Sequence, residues 1–175
     1  MFKKLRGFTL IELLIVVAII GILAALLIPN AITAIQKAKQ KSTMKDIAVI
    51  SAAITDYITD NGTAMVQNGV YTASSPFYTD LAPFYIKVLP INDQWGNGYR
   101  VYTGTGIAVY GVAGLADDFL VASYGRDKTE EAFSFVLTSP EAGLYIVNEM
   151  LHFNRDLVMW NGAWIRAPSA GGTGT

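Results

Sequence analysis

The feature that most constrains this chain is a stretch without a single charged side chain, which separates Glu12 from Lys37. Within it, residues Leu13 to Ile28 are almost entirely Leu, Ile, Val and Ala. A helix of this length is about long enough to cross the hydrocarbon core of a bilayer at a rise of 1.5 Å per residue. A helix that is apolar on all sides must face lipid or other protein helices.

The residues before this stretch indicate its orientation. Met1 to Gly7 (MFKKLRG) form a short basic segment. Positive charges that flank a membrane helix stay on the cytoplasmic side, so Lys3, Lys4 and Arg6 place the N-terminus in the cytoplasm. The remainder of the chain is then expected on the opposite side of the membrane.

Two simple interpretations of the apolar stretch leave something unexplained. A secretory signal has an apolar core of about 7 to 15 residues and a small-x-small cleavage site. Here the core is longer and Ile28-Pro29-Asn30-Ala31 is a poor site. A plain single-span anchor explains the length but not Glu12, because a carboxylate deep in a bilayer costs about 2.5 to 3.5 kcal/mol.

A third interpretation gives Glu12 a use. If the chain is cut between Gly7 and Phe8, a new amino group appears about one helical turn from Glu12. A carboxylate in the first turn also suits the helix dipole. In a bundle of identical helices, Glu12 of one copy would pair with the amine of another, which relieves both charges and fixes the register. This predicts assembly through the N-terminal helix.

The segment Gly7-Phe8-Thr9-Leu10-Ile11-Glu12, with the apolar run and Pro29 after it, resembles the N-terminus of type IV prepilins and type II secretion pseudopilins. The resemblance implies that a membrane-embedded prepilin peptidase removes Met1 to Gly7 and methylates the amine of Phe8. It also implies that Glu12 serves subunit docking.

The same resemblance implies that Gly21 and Pro29 bracket a stretch that loses helical structure in assembled filaments. Their chemistry agrees, because Gly weakens a helix interior and Pro cannot donate to the preceding turn. Each residue also has a static role that stays open: Gly21 would allow close packing between membrane helices, and Pro29 would give a fixed kink.

Beyond Pro29, apolar residues recur at helical spacing with lysines between them, which predicts one helix from Thr9 to Asp60. Asp60-Asn61-Gly62 supplies its stop, since Gly62 can take the left-handed cap. The apolar positions are Ile32, Ile35, Met44, Ile47, Ile50, Ile54 and Ile58.

The sequence as a whole predicts an α+β fold, in which a long N-terminal helix packs on a small antiparallel β-sheet head. Residues 1–7 form the leader, 8–30 the transmembrane and assembly half of the helix, 31–168 the head with the amphipathic half, and 169–175 a disordered tail. The predicted head elements are a loop over Met65 to Phe77, a short helix over Leu81 to Leu89, strands over Tyr99 to Thr103, Ile107 to Val112 and Phe119 to Ser123, and a hairpin that joins Leu157 to Trp160 and Ala163 to Ile165 through Asn161-Gly162.

Three segments of the head resemble the major pseudopilins of type II secretion. They are Leu89-Pro90, Asp93-Gln94-Trp95-Gly96-Asn97-Gly98-Tyr99 and Ser123-Tyr124-Gly125-Arg126-Asp127. The resemblance implies a Ca²⁺ ion near the last of these, and calcium takes clustered oxygen ligands. Asp117, Asp118, Ser123, Asp127, Glu130 and Glu131 are the available donors. The predicted ligands are Asp117, Asp118, Ser123 and Asp127, with Asp118 and Asp127 the best candidates.

Two departures from that pattern bear on the calcium site. The spacing from Asp118 to Asp127 is longer than usual, and a long segment from Ala132 to Asn154 replaces a compact acidic ending. The alternative is that Asp117 and Asp118 merely flank a strand while Asp127 lies in a solvated turn.

An enzyme or a nucleic-acid-binding head is disfavoured. The chain has no cysteine and one histidine, His152, so it lacks a thiol nucleophile or a histidine pair for a metal. Gly104-Thr105-Gly106 is better interpreted as a turn than as a phosphate loop. We therefore expect no enzyme activity. The residues after Lys45 are acidic overall, which argues against nucleic acid contact by the head.

These observations predict a structural subunit of a helical homopolymer, stored in the bacterial inner membrane and then assembled into a periplasmic or extracellular filament. The expected partners are the prepilin peptidase, the inner-membrane assembly platform and minor pilins or pseudopilins. The first choice is the major pseudopilin of a type II secretion system. A type IV pilus major pilin for adhesion, motility or DNA uptake is the alternative, and a membrane-anchored monomeric binding domain is the alternative of another class.

Overall fold

A computed structural model describes residues 7–133, 135–136 and 138–169. Residues up to Lys37 form one compact unit, and residues from Ala38 onward form a second. The described helices are α1 (Leu10–Asn61) and α2 (Pro76–Leu81), with 3-10 helices at Gly104–Tyr110, Pro140–Gly143 and Met150–Asn154. The strands are β1 (Asn68–Val70), β2 (Arg100–Thr103), β3 (Phe119–Ser123), β4 (Leu157–Trp160) and β5 (Ala163–Arg166).

Helix α1 confirms the predicted long helix to within one residue at each end, and it runs through both Gly21 and Pro29. It ends where Gly62 adopts a φ of 78°, and the Gly62 N–H donates to the carbonyl oxygen of Ile58 at 2.7 Å. That left-handed residue is the stop that the sequence predicted.

In the first unit, α1 is apolar on its whole circumference. Its large apolar side chains between Leu10 and Ile35 are 44 to 82% exposed. This helix is long and apolar enough to cross a membrane. The chain alone therefore leaves a large apolar surface that needs lipid or other helices to cover it.

In the second unit, the strands form one antiparallel sheet in the order β1-β2-β3-β4-β5. Val121 of β3 lies opposite Val101 of β2 and Met159 of β4. Because side chains alternate along a strand, these three residues share one face of the sheet. The opposite face carries Leu120 and Val158, and all five residues of β3 are buried.

The first face of the sheet packs on the later part of α1. Ile47, Ile50 and Ile54 of the helix are fully buried against Val101, Val121 and Met159 of the strands. The predicted α+β architecture, a helix laid on an antiparallel sheet, is confirmed.

The second face of the sheet is covered as well. Its cover comes from the 3-10 helix at Gly104–Tyr110, through Ile107 and Tyr110, and from Phe133 and Phe135, which follow the acidic loop at residues 126–131. The Phe135 ring meets Trp160 edge to face, at 5.2 Å between centroids. The sheet is therefore the middle layer of the head.

Three local predictions were wrong. The strand predicted over residues 107–112 is not formed; residues 107–110 lie in a 3-10 helix, because Ile107 and Tyr110 point the same way at three-residue spacing. The predicted helix over residues 81–89 is absent there; α2 begins earlier, at Pro76, since Pro is favoured in the first helical turn. The predicted loop over residues 65–77 contains the edge strand β1.

The C-terminal hairpin was predicted correctly. Asn161 and Gly162 have φ values of 45° and 81° between β4 and β5, as a tight two-residue turn requires. The tail predicted to be disordered lies outside the described residues except for Ser169, whose N–H donates to the Tyr145 carbonyl oxygen at 2.8 Å.

Candidate functional site

Glu12 is held at the first turn of α1 by Thr9. Its Oε2 accepts hydrogen bonds from the backbone N–H of Thr9 at 2.8 Å and from the Thr9 hydroxyl at 2.7 Å. The Glu12 N–H donates back to the Thr9 hydroxyl at 3.3 Å. This reciprocal pair is a capping box, which satisfies amide groups that the first helical turn leaves free. Both side chains are exposed, and Oε1 of Glu12 has no hydrogen bond among the described residues.

The buried carboxylate of Asp93 joins two of the head segments that resemble the pseudopilins, residues 93–99 and 123–127. Asp93 accepts hydrogen bonds from the N–H groups of Trp95 and Asn97 at 2.9 and 2.8 Å. Its second oxygen accepts from the Asn97 amide at 3.0 Å and from the Ser123 hydroxyl at 2.6 Å. The Asn97 amide also donates to the Gly125 carbonyl oxygen at 2.7 Å. The two motifs therefore form one hydrogen-bonded unit.

The structure does not bring the four predicted calcium ligands together. Asp118 precedes β3 and Ser123 ends it, a separation of about 16 Å at a strand rise of 3.3 Å per residue. Asp118 instead accepts hydrogen bonds from the Leu115 N–H at 2.7 Å and the Asn161 amide at 2.6 Å. Asp117 is exposed. Ser123 donates its hydroxyl hydrogen bond to Asp93. Of the four predicted ligands, only Asp127 lies in the acidic loop.

The acidic loop meets a buried carboxylate that no sequence motif indicated. Asp156, directly before β4, has no exposed surface. Its Oδ2 accepts a hydrogen bond from the Glu131 N–H at 3.1 Å, while its Oδ1 has no partner among the described residues. Burial, with the negative charges of Glu131, Asp127 and Glu130, raises the pKa of Asp156 to about 7, against the lowering by the Glu131 N–H.

The same loop lines an open pocket of about 330 Å³ together with His152 and Arg155. His152 is not free there, because its Nδ1 accepts hydrogen bonds from the N–H groups of Asn148 and Glu149 at 3.1 and 3.4 Å. It caps the 3-10 helix at Met150–Asn154. Gly104-Thr105-Gly106, predicted as a turn, instead begins the 3-10 helix at Gly104–Tyr110, and a Cβ on Gly106 would lie 1.7 Å from the Asn68 side chain.

Comparison with known proteins decides the family. The chain is 34% identical over 135 residues to the type II secretion system core protein G of Pseudomonas aeruginosa, a match that covers 73% of this chain and 88% of that protein. The chain belongs to the core protein G family. The protein of that name in Aeromonas hydrophila is 34% identical over 108 residues, which are 57% of this chain and 73% of that protein.

The N-terminal helix gives the second comparison. Residues 2–28 match the family model described as the prokaryotic N-terminal methylation motif. The core protein G of Escherichia coli K12 is 41% identical over 58 residues, 33% of this chain and 40% of that protein. No solved structure gives a significant match.

Within this core protein G chain, the fit of a calcium ion depends on which residues are considered. Asp117, Asp118 and Ser123 do not fit, because they lie away from the acidic loop or are occupied by other partners. Asp127 and Asp156 fit better, because a buried carboxylate oxygen without a partner, beside an acidic loop, is a favourable ligand. Among the described residues no three acidic or histidine side chains converge, so backbone oxygens would have to complete the shell.

The sequence analysis did not single out Thr9 and Asp156, the two residues that shape the surroundings of Glu12 and of the acidic loop. Thr9 and Glu12 have the spacing of a capping box, which is readable from the pattern Thr-x-x-Glu. Asp156 stands directly before the apolar strand Leu157–Trp160, but nothing in that position indicates that the acidic loop folds back onto it. Its contact with Glu131 is tertiary, between residues 25 positions apart in the chain.

Proposed function

We propose that this chain is the major subunit of a type II secretion pseudopilus. The observation that carries the proposal is the exposed apolar half of α1, with a carboxylate held at its first turn, in a chain of the core protein G family. An exposed apolar helix is stable only in lipid or against other helices. The subunit is therefore stored in the inner membrane as a single-pass protein with its N-terminus in the cytoplasm, and the same helix then packs in the filament.

Maturation creates the partner that Glu12 lacks within the subunit. Cleavage between Gly7 and Phe8 by a prepilin peptidase releases the Phe8 amine, which is then methylated. Thr9 engages only Oε2 of Glu12, so Oε1 remains available for the Phe8 amine of a neighbouring copy. An ion pair away from water is strong only when its hydrogen bonds are also satisfied, and Thr9 provides them.

The remaining partners follow from the same mechanism. An inner-membrane assembly platform extracts the matured subunit, minor pseudopilins complete the filament, and Gly21 and Pro29 bracket the part of α1 that loosens as helices pack. The role is mechanical and not catalytic. In support, the lone histidine serves as a cap.

The charge on Glu12 can be tested separately from its capping role. Gln at this position of a capping box still accepts the hydrogen bonds of Thr9, so Glu12→Gln removes only the charge. We expect Glu12→Gln to reduce filament assembly at least tenfold, whereas Thr9→Ala, which removes the cap and keeps the carboxylate, has a smaller effect. The measurement is the amount of sheared filament relative to the subunit in the membrane.

Two experiments test whether the chain belongs to a type II secretion system: the intact mass of the native protein and deletion of its gene. Intact mass should show a chain that begins at methylated Phe8, and deletion of the gene should stop protein secretion with motility intact. Loss of motility with normal secretion would instead assign the chain to a surface type IV pilus. Function that tolerates Glu12→Gln, in a protein that retains Met1 and has no processed form, would indicate an anchored monomer.

We also propose a Ca²⁺ ion held by Asp127 and Asp156 with backbone oxygens of the acidic loop. The cation would neutralise the buried carboxylate and join the loop to the start of β4.

Calcium at one hundred times its Kd stabilises the folded state by about 2.7 kcal/mol. We expect millimolar CaCl2 to raise the Tm of the full chain in detergent, and Asp156→Asn to abolish that rise while Asp117→Asn preserves it. Equal Tm values in CaCl2 and EGTA for the unaltered chain would refute the site.

A further inference from the structure

Three lysines of α1 lie on one side of the helix. Lys37, Lys41 and Lys45 follow one another at four-residue intervals, so they share one helix face, and all three are exposed. We call them the lysine stripe. Like charges at this spacing repel and weaken a helix. In the part of the chain that the structure describes, the single salt bridge joins Arg166 to Glu131, so no lysine of the stripe has a carboxylate partner.

The head carries the opposite charge in excess. After Lys45 the sequence contains 13 Asp and Glu but 6 Lys and Arg. Most carboxylates have internal partners, as Asp93 and Asp118 do. Four are exposed and make no hydrogen bond or ion pair with any described residue: Asp56, Asp80, Asp117 and Glu141. The subunit thus has unpaired positive groups in α1 and unpaired negative groups of which three, Asp80, Asp117 and Glu141, lie outside α1.

We propose that the lysine stripe of one subunit binds exposed carboxylates on the head of a neighbouring subunit. This inference rests on the filament function proposed above. A contact between two different patches of identical subunits repeats without closing when the rotation does not close, and so produces a helical polymer. Complementary charges at such a contact fix the register of one subunit against the next.

An anionic lipid surface is the second kind of partner that lysines can bind, and the spacing along the chain disfavours it. The headgroup layer is about 5 to 8 Å deep on each side of a bilayer, which is about four or five residues of helix. A hydrocarbon core of about 30 Å takes about 20 helical residues, so a span that begins at Phe8 ends near Ile28, and Lys41 and Lys45 come 13 and 17 residues after it. Lipid headgroups would therefore engage Lys37 at best, whereas a protein surface can engage all three.

The proposal can be tested on unaltered filaments with a carbodiimide, which joins an amine to a carboxylate only where the two are in contact. Filaments that contain both ¹⁴N- and ¹⁵N-labelled subunits distinguish links between copies from links within one copy. We expect peptides of mixed label that join a stripe lysine to a head carboxylate. Filaments with no such peptides, or with stripe links of pure label only, would overturn the proposal.

Variants provide the second measurement. Lys41→Glu reverses one charge of the stripe, and Lys87→Glu makes the same change at an exposed head lysine outside it. We expect about fivefold less filament per membrane-held subunit for Lys41→Glu, as the loss of one good surface ion pair implies. Lys41→Arg and Lys87→Glu should assemble normally. Equal losses for Lys41→Glu and Lys87→Glu would contradict a specific stripe.

The outcomes separate this inference from the proposed function. If the unaltered chain forms no filament, the proposed function fails. If it forms filaments whose stripe lysines react freely with an acetylating reagent, only the stripe contact fails. Protection of these lysines in vesicles with anionic lipid but not in filaments would assign the stripe to the membrane and overturn the contact between copies.

Discussion

At the scale of single residues, two carboxylates differ in what their surroundings allow them to bind. Glu12 is exposed and satisfied by its own helix turn on one oxygen only. Asp156 is buried, has one oxygen without a partner among the described residues and is surrounded by the charges of Glu131, Asp127 and Glu130. Glu12 can therefore form an ion pair with an amine. A cation or a proton would neutralise the buried charge of Asp156.

The pKa of Asp156 leads to a prediction for the metal-free protein. The unfolded chain loses this proton near its ordinary pKa of 3.8, while the folded chain keeps it up to about 7. Stability from this group is therefore complete below about pH 4 and is lost as the pH rises to about 7. We expect Asp156→Asn to remove this decline, which amounts to at most about 4 kcal/mol.

Thermal unfolding of the unaltered chain and of Asp156→Asn in EGTA, at steps between about pH 4.5 and 8, measures this loss of stability. The Tm difference between Asp156→Asn and the unaltered chain should grow in favour of the variant as the pH rises. Parallel curves would show that Asp156 does not carry the proton.

At the scale of elements, the C-terminal hairpin is fastened to β3 by one side chain. Asn161 accepts a hydrogen bond from the Phe119 N–H at 2.9 Å and donates to Asp118 at 2.6 Å. The Asn161 N–H also donates to the Phe119 carbonyl oxygen at 3.0 Å. Asp118, which the sequence indicated as a calcium ligand, therefore serves the turn between β4 and β5.

Two substitutions at Asn161 separate the side chain from the backbone. Asn161→Gly keeps the positive φ at no strain and loses both side-chain hydrogen bonds, so we expect a loss of about 1 to 3 kcal/mol. Asn161→Ala adds the strain of a left-handed residue, which costs about 1 kcal/mol more. Denaturant unfolding measures both, and equal stability of the two variants would mean that the φ value at this turn does not matter.

At the scale of the whole head, the segment from Ala132 to Asn154 contributes to a second layer over the sheet. Phe135 packs with Trp160, and Arg166 donates from Nε to Glu131 at 3.0 Å and from Nη1 to the Gly143 carbonyl oxygen at 3.1 Å. The Gln40 amide of α1 donates to the Tyr145 hydroxyl at 3.1 Å. The segment is therefore part of the fold and not an appended loop.

A core substitution tests that role. Phe135→Ala should cost about 3 kcal/mol or more, because it removes a buried ring from the second face of the sheet. At about 2 to 4 °C per kcal/mol for a chain of this size, the Tm should fall by about 10 °C. Val136→Ala, at the half-exposed neighbour, should change the Tm little. A small effect of Phe135→Ala would show that the layer is dispensable.

Several parts of this protein were predictable because they depend on local chemistry. Residues 10–61 are helical because their apolar spacing, and the glycine after them, favour one continuous helix with a defined end. The Asn161-Gly162 turn specified the C-terminal hairpin, and the uncharged run with Glu12 indicated assembly. Each of these follows from side chains within a few residues of one another.

The remaining features depend on tertiary contacts. Residues 107–110 are apolar enough for a strand, yet they form a 3-10 helix because the sheet offers a face to cover and not an edge to extend. The calcium site proposed above uses Asp156 and not Asp118. Asp118 lies before β3 and Ser123 ends that strand, whereas the acidic loop folds back to the residue before β4. Such contacts join residues distant in sequence, and their geometry exists only after the sheet has formed.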